Sequence, residues 1–325
     1  MKKTLTVVMT AVLLNIVLVS CQISDSYKKS EEDNYNYSIY NSYDIIDTGP
    51  VKGGVLNIYS TSYDTLDPIM TKNLYVQRFS NLIYEGLFKV NESQQAVPVL
   101  ADSWEVSEDK LIYSFHIREG VRWHDGTPLT AEDVEFTFAK IQDESAESIY
   151  KSNLKNIVTF AAINRDTFRV VLKKPNSFTP ELMTFPIMPR HLADNEGLVR
   201  QPEGLVPVGT GPYKVETIET EEYIKLSQNK EWWKSGENPD NSLVTPYIDN
   251  IKINLYSGSV TEIEAFQTGD THIACVKSED FSKYKSRPDI VLKKYPGRDF
   301  DFIAFNTSIP ALSDKSVRAG NCLYN

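Results

Sequence analysis

Four histidines and a short acidic run are the groups of this chain best suited to bind a metal or move protons. His116 and His124 fall on different predicted elements. Neither belongs to an HxH or HExxH pattern that would turn two imidazoles toward one ion. His191 and His272 have no carboxylate or thiol at ligand spacing, so all four read as surface or hydrogen-bonded core histidines. Asp125, Glu132 and Asp133 lie close enough in sequence to suggest acid–base work. Each has a plainer use: Asp125-Gly126 is a tight-turn pair, and carboxylates in the first turn of a helix meet its positive end. No nucleophile elbow, phosphate-cradling glycine loop or pair of catalytic acids occurs. The chain therefore carries no enzyme signature and implies no cofactor and no metal. Its net charge of -10, with Lys and Arg scattered, excludes a nucleic-acid footprint. Cys275 and Cys322 lack the regular spacing of a disulfide framework, and there is no CxxC.

The elements that would position any site alternate between strand and helix. Residues 55–59 follow a glycine pair and read as a strand. Asp67-Pro68 is a turn, because the proline forces Asp67 out of the helical region. Val76, Phe79, Leu82, Ile83 and Leu87 recur at helical spacing, with Gly86 as the expected stop. Residues 111–117 alternate as a strand, residues 118–120 turn, and residues 121–123 read as a second short strand. A helix then starts near Pro128. Thr130 is its expected N-cap, Asp133 the acidic partner of a capping box, and Val134, Phe138 and Ile141 its apolar stripe. Residues 213–215, 248–255, 290–293 and 300–305 read as strands, and residues 260–266 as a helix ended by Gly269-Asp270. Trp232 and Trp233 are adjacent and cannot share one face of a strand; packing is their expected use. At 325 residues and 41% hydrophobic content, the chain can bury a core of two-domain size. The alternation suits a mixed α/β sheet covered by helices.

The chain opens with Lys2 and Lys3 ahead of an apolar run over residues 4–19. That run is too short to cross ~30 Å of hydrocarbon comfortably. Residues 1–20 read as a secretion signal. Leu18-Val19-Ser20-Cys21 resembles a bacterial lipobox, which implies cleavage before Cys21 and lipid on that residue. Acyl chains contribute ~0.8 kcal/mol per buried CH₂, enough in combination to hold a protein at a membrane surface. Residues 21–52, rich in Ser, Asn, Asp, Glu and Tyr, read as the lipidated Cys and a flexible tether.

The blocks "GGVLNIYSTSYDTLDP", "LIYEGLF", "PVLADSWEVSEDKLIYSFHIREGVRWHDGTPLTAEDVEFTF", "PVGTGPYKV" and "FIAFNTSIP" occur in order. Together they resemble the extracytoplasmic solute-binding proteins of peptide- and nickel-type ABC importers. The resemblance implies an α/β, periplasmic-binding-protein-like fold of the class II, venus-flytrap kind, with the second lobe missing. It implies a first lobe from residues 53–83 and 190–305, an inserted subdomain over residues 84–189, and the start of a second lobe from residue 306. It further implies capture of a peptide or related small solute in a cleft. Ligand-side candidates are Ser60, Thr61, Ser62, Tyr63, Gly211, Tyr213, Asn306 and Thr307. The implied partners are ABC permease subunits and, through Cys21, the extracytoplasmic face of the membrane. A monomer is expected.

After "FNTSIPALSDKSVR" such proteins continue as a helix resembling "QAIAYAI", whereas this chain has "AGNCLYN". One permitted back-translation, GCA GGC AAT TGC TTA TAT AAT, gives Gln-Ala-Ile-Ala-Tyr-Ile when read one base later. A single extra base after the Arg318 codon is therefore the expected origin of the ending. On that reading ligand capture is impaired, and the rival reading is a surface lipoprotein remnant that binds nothing, or a frameshifted pseudogene product.

Overall fold

The computed structural model describes residues 39–40, 51–91, 93–193, 207–236, 246–285, 287–293, 306 and 308–315. The signal, Cys21, Thr307, Cys322, the strand expected over residues 300–305 and the final residues lie outside them. The chain divides into two compact units, one of residues 46–281 and one of residues 1–45 with 282–325. In the second of these, strand β1 (Ile39–Tyr40) pairs antiparallel with β12 (Leu292–Lys293), Ile39 facing Lys293. Residues 39 and 40 were expected to be tether, and the strand expected over 290–293 shrinks to two residues.

In the larger unit, the strand after the glycine pair extends further than its apolar run, as β2 (Val55–Thr61). It lies parallel to β11 (Asn250–Tyr256), which pairs with β10 (Tyr223–Gln228), which pairs with β9 (Tyr213–Glu219). Ile251, Ile253 and Leu255 alternate with polar residues and are buried. Leu226 and Ile224 stand opposite Ile251 and Ile253, so one face of this sheet is apolar. Helix α1 (Leu74–Ile83) packs near it through Val76, Phe79 and Ile83, the expected stripe. Its N-cap is Asn73, whose Oδ1 accepts from the N–H groups of Tyr75 and Val76. The helix ends at Ile83, before Gly86. Gly86 serves close packing instead: a Cβ there would lie 2.8 Å from the Phe185 carbonyl oxygen.

The second sheet is antiparallel, in the order β5 (Ala101–Val106), β6 (Ile112–Ile117), β8 (Thr167–Leu172), β7 (Ile157–Ala162). Tyr113, Phe115 and Ile117 point one way with Phe168, Val170 and Leu172, and all six are buried. Helix α2 (Ala131–Gln142) covers that face through Val134, Phe138 and Ile141. The Phe138 ring sits 4.6 Å from Phe168 and 5.2 Å from Phe185. Asp133 takes the N–H of Thr130, the acidic half of the expected capping box. The strand expected over residues 121–123 does not form. Arg122 makes one isolated bridge to Pro128, which has no N–H with which to extend a ladder. The hairpin of β3 (Phe88–Val90) and β4 (Ala96–Pro98) completes the larger unit's strands. One continuous apolar cluster runs from Leu66 to Leu255 and joins both sheets.

Inside it, Lys140 of α2 reaches Asp67 at 2.5 Å, with only 8% and 15% of the two side chains exposed. Asp67 also accepts the N–H of Ile69, which fixes the Asp67-Pro68 turn. Removing one partner of a buried pair leaves the other charge uncompensated and costs about 3–5 kcal/mol. Lys140→Met is expected to destabilise the chain by that amount, read from the urea midpoint. A change under about 1 kcal/mol would show that water reaches the pair.

Candidate functional site

The end of β2 and the start of α1 are joined by a short loop whose shape is set by side chains. Asn73 Nδ2 donates to Thr61 Oγ1 at 3.0 Å and to the Ser62 carbonyl at 2.9 Å, while its Oδ1 caps the helix. One side chain thus ties Thr61, Ser62 and the helix start together. Asp64 accepts from the Thr71 hydroxyl at 2.5 Å and from the Lys72 N–H at 2.7 Å. Burial pushes its carboxyl up, but these hydrogen bonds, with one from the Thr65 N–H, hold it below the usual range. Ser62 is exposed, and Thr61 and Tyr63 are half-buried. Just inside, the Tyr59 ring stacks on Tyr256 at 4.9 Å and meets Tyr75 edge-on at 5.1 Å. Its hydroxyl donates to the Val260 carbonyl.

β2 is an edge strand. On the side away from β11, Asn57 gives its carbonyl to the His272 N–H at 2.9 Å and its N–H to His272 Nδ1 at 3.2 Å. Tyr59 and Thr61 are in phase with Asn57, so their backbone groups turn to the same edge beyond the point where His272 closes it.

The other expected site residues fall elsewhere. Ser60 is fully buried, and its hydroxyl donates to the Thr61 carbonyl. Tyr213 is buried, and its hydroxyl donates to the Ile248 carbonyl at 2.9 Å. Gly211 donates to the Ile83 carbonyl, and its own carbonyl accepts from Asn229 Nδ2 at 3.1 Å. Tyr213 pairs with Gln228, and neighbouring Ser227 with Asn250, which pairs with Val55. Gly211 and Tyr213 therefore lie at the end of the sheet where β2 begins. Residues 61–63 lie where it finishes, ~20 Å away over seven strand residues. Thr61, Ser62 and Tyr63 are brought together; Gly211 and Tyr213 are not brought to them. Asn306 is exposed in the smaller unit, where its Oδ1 accepts the Ser308 N–H.

The glycine turn is a packing junction. A Cβ on Gly209 would stand 1.8 Å from the Ile83 carbonyl oxygen, and one on Gly211 2.7 Å from the same atom. His124 Nδ1 accepts the Gly209 N–H at 3.2 Å, so Nε2 carries the proton that goes to the Gly211 carbonyl at 3.0 Å. Burial drives the His124 pKa down from 6.5 to about 4, with nearby Lys214 acting the same way. Glu85, next to the turn, accepts from Trp233 Nε1 at 2.7 Å and from the Thr210 hydroxyl at 3.0 Å, both on Oε2. Burial pushes its carboxyl above the usual glutamate range against those hydrogen bonds. His191, which has no partner at sequence spacing, meets Asp125 at 2.6 Å. Glu132 pairs with Arg190 at 2.5 Å, and Asp133 also accepts the Arg190 N–H. These carboxylates hold turns and helix ends together. Among the described residues no group of three His, Cys, Asp or Glu could hold a metal. No described helix is long and apolar enough to cross a membrane. Asn73 went unrecognised in the sequence, where the available signal was a cap-type residue before an apolar-periodic run; the Glu85 and His191 partnerships had no sequence signal.

The two half-buried groups, Glu85 and His124, give opposite pH dependences. Glu85 has a raised folded-state pKa, so stability it lends at low pH is lost as pH rises through that value. Glu85→Gln keeps the accepting oxygen and removes the charge. It is expected to raise the melting temperature at pH 7, and an unchanged or lower value contradicts the burial argument. His124 has a depressed pKa, so its stability is fully present above 6.5 and lost as pH falls toward about 4. In the Glu85→Gln background, urea unfolding from pH 7 to pH 4 is expected to lose on the order of 3 kcal/mol through His124. A loss unaffected by replacing His124 with Gln would rule this out.

Residues 95–320 match the family model of bacterial extracellular solute-binding proteins, family 5 Middle. The glutathione-binding protein GsiB of Escherichia coli strain K12 is 27% identical over 264 residues, which is 79% of this chain and 49% of that protein. The oligopeptide-binding protein AppA of Bacillus subtilis, solved with a nonapeptide, superposes with a TM-score of 0.61 at 22% identity, covering 73% of this chain and 47% of that one. NikZ of Campylobacter jejuni, solved with Ni(L-His), gives 0.59 at 23%, covering 72% and 45%. The chain spans about half the length of the curated relatives it matches. It belongs to the bacterial extracellular solute-binding proteins of family 5, which are binding proteins and not enzymes, and has their periplasmic-binding-protein-like α/β fold.

Proposed function

We propose that this chain supplies part of the ligand site of an ABC importer's binding protein, and that the solute is a peptide or a similarly sized polar molecule. The observation that carries this reading is the edge of β2 beyond Asn57. The outward backbone groups of Tyr59 and Thr61 lie beside the polar residues Thr61 and Ser62, held by Asn73. An extended peptide added to such an edge is held through its main chain, which tolerates many side-chain sequences. The named solutes of the relatives, glutathione, a nonapeptide and nickel-histidine, supply the panel to test. Tyr63 remains in the proposed set, and Ser60, Gly211 and Tyr213 act from within as scaffold. The division into a first lobe over residues 53–83 and 190–305 and an inserted subdomain over 84–189 is part of the same proposal. So are permease partners, a monomeric state, and attachment to the extracytoplasmic face of the cell membrane through lipid on Cys21.

Calorimetric titration of the panel against the purified chain tests the reading. Peptide or glutathione is expected to bind, and Asn73→Ala to weaken it at least tenfold, about 1.4 kcal/mol. Binding that survives Asn73→Ala unchanged would place the ligand elsewhere; no binding by any solute would overturn the function for this chain. Cys21→Ser is expected to release the protein from the membrane fraction or block its processing. A cleaved product that stays membrane-bound contradicts the anchor.

A further inference from the structure

One carboxylate stands where β2, α1 and the segment after His272 meet. Glu262 is the first residue of the helix Glu262–Thr268. Its Oε2 accepts from the Tyr75 hydroxyl of α1 at 3.4 Å, and its Oε1 accepts from the Cys275 N–H at 3.1 Å. Two residues before it, the Val260 carbonyl accepts from the Tyr59 hydroxyl of β2 at 2.8 Å. Tyr59 is the middle ring of three, stacked on Tyr256 and edge-on to Tyr75. Tyr75, Tyr256 and Glu262 are half-buried, so each is partly open to solvent. The neighbouring acid, Glu264, is committed to the cap of its own helix, where it accepts from the Thr261 N–H and hydroxyl. The neighbouring cation, Arg78, lies 5.5 Å from the Tyr75 ring centroid and directs Nη1 to Cys275 Sγ at 3.8 Å. Neither Arg78 nor any other cation among the described residues is within ion-pair distance of Glu262. A half-buried carboxylate met only by neutral donors keeps both unused lone pairs and an uncompensated charge.

We propose that Glu262, with the rings of Tyr59, Tyr75 and Tyr256, holds an ammonium group of the peptide laid along the β2 edge. This site rests on the peptide reading above and names a ligand group that the reading leaves open. An ammonium brings three N–H donors. Each Glu262 oxygen already accepts one hydrogen bond and has a second lone pair to offer. Bonds between two charged groups are roughly twice as strong as neutral ones. Aromatic rings beside the carboxylate attract the same cation through their quadrupoles. Main-chain bonds to Tyr59 and Thr61 tolerate any side chain, whereas this contact selects for charge. A neutral amide in the same place leaves Glu262 uncompensated. The terminal amine of a peptide and the side chain of a lysine within it share this chemistry.

The purified full chain is titrated by calorimetry at pH 7 with three peptides: trialanine, N-acetyl-trialanine, and an N-acetyl tripeptide with one central lysine. At least one ammonium-bearing peptide is expected to bind about tenfold more tightly than N-acetyl-trialanine. An advantage for trialanine identifies the terminal amine, and one for the lysine peptide identifies the side chain. This comparison needs no variant to fold. Glu262→Gln keeps one accepting oxygen and is expected to abolish the advantage while N-acetyl-trialanine binds as before, which also verifies folding. Glu105→Gln removes an exposed carboxylate on β5 and is expected to keep the advantage. Equal binding of all three peptides by the unaltered chain would overturn the ammonium site and leave the peptide reading standing. So would an advantage that survives Glu262→Gln, or one lost equally in Glu105→Gln. No binding by any of the three would overturn the peptide reading, and this site with it.

Discussion

Gly209 and Gly211 allow one loop to lie directly on the last turn of α1, and both four-stranded sheets of the larger unit are tied through that contact. Their missing side chains leave room for the Ile83 carbonyl, which would otherwise be an orphan acceptor at the helix end. The Gly211 N–H satisfies it at 2.8 Å. His124, from the loop after the second sheet's β6, then bridges Gly209 and Gly211 with both ring nitrogens. Glu85 binds Thr210 from the segment that leaves α1. Three stretches far apart in sequence thus share one hydrogen-bonded junction, and the apolar cluster is continuous across it. β9 leaves this junction at Tyr213, so its register against β10, and through it β11 and β2, is set from here.

The far end of β2 has a different character. There the rings of Tyr59, Tyr75 and Tyr256 lie just inside small polar residues, and Asn73 holds Thr61 and Ser62 by hydrogen bonds. The nearby charge, Asp64, is consumed by the Thr71 hydroxyl and by backbone donors. In the proposed function, this wall would offer a ligand mainly directional hydrogen bonding. Such a surface suits recognition by main-chain geometry, and a family whose named solutes range from nickel-histidine to a nonapeptide would use it without committing to one side chain.

The two ends divide the polar groups by the accessibility of water. At the junction, half-buried Glu85 accepts two hydrogen bonds on one oxygen and His124 uses both ring nitrogens, because an unpaired polar group in a low-dielectric interior is expensive. At the open end, Ser62 stays exposed and its backbone carbonyl needs only one partner. Carboxylates that looked fit for acid–base work divide the same way: Asp133 caps α2 and the Arg190 backbone, while Glu132 pairs with Arg190 at the surface.

Local pattern was legible. The stripe of Val76, Phe79 and Ile83, the alternation ending in Phe115 and Ile117, the Thr130–Asp133 cap and the family blocks all follow from short-range sequence, because helix and strand periods are properties of neighbouring residues. The resemblance named the fold for the same reason: its motifs are contiguous. What sequence could not decide was which distant residues meet. Tyr213 and Thr61 looked like parts of one site, but antiparallel pairing through β10 and β11 sends them to opposite ends of a sheet. His191 had no partner in sequence and finds Asp125 across the fold. The glycines of the turn were legible as permissive residues. Only the tertiary structure revealed that they are required because Ile83 approaches too closely for any Cβ. Packing distance depends on both surfaces at once, and a linear sequence presents them one at a time.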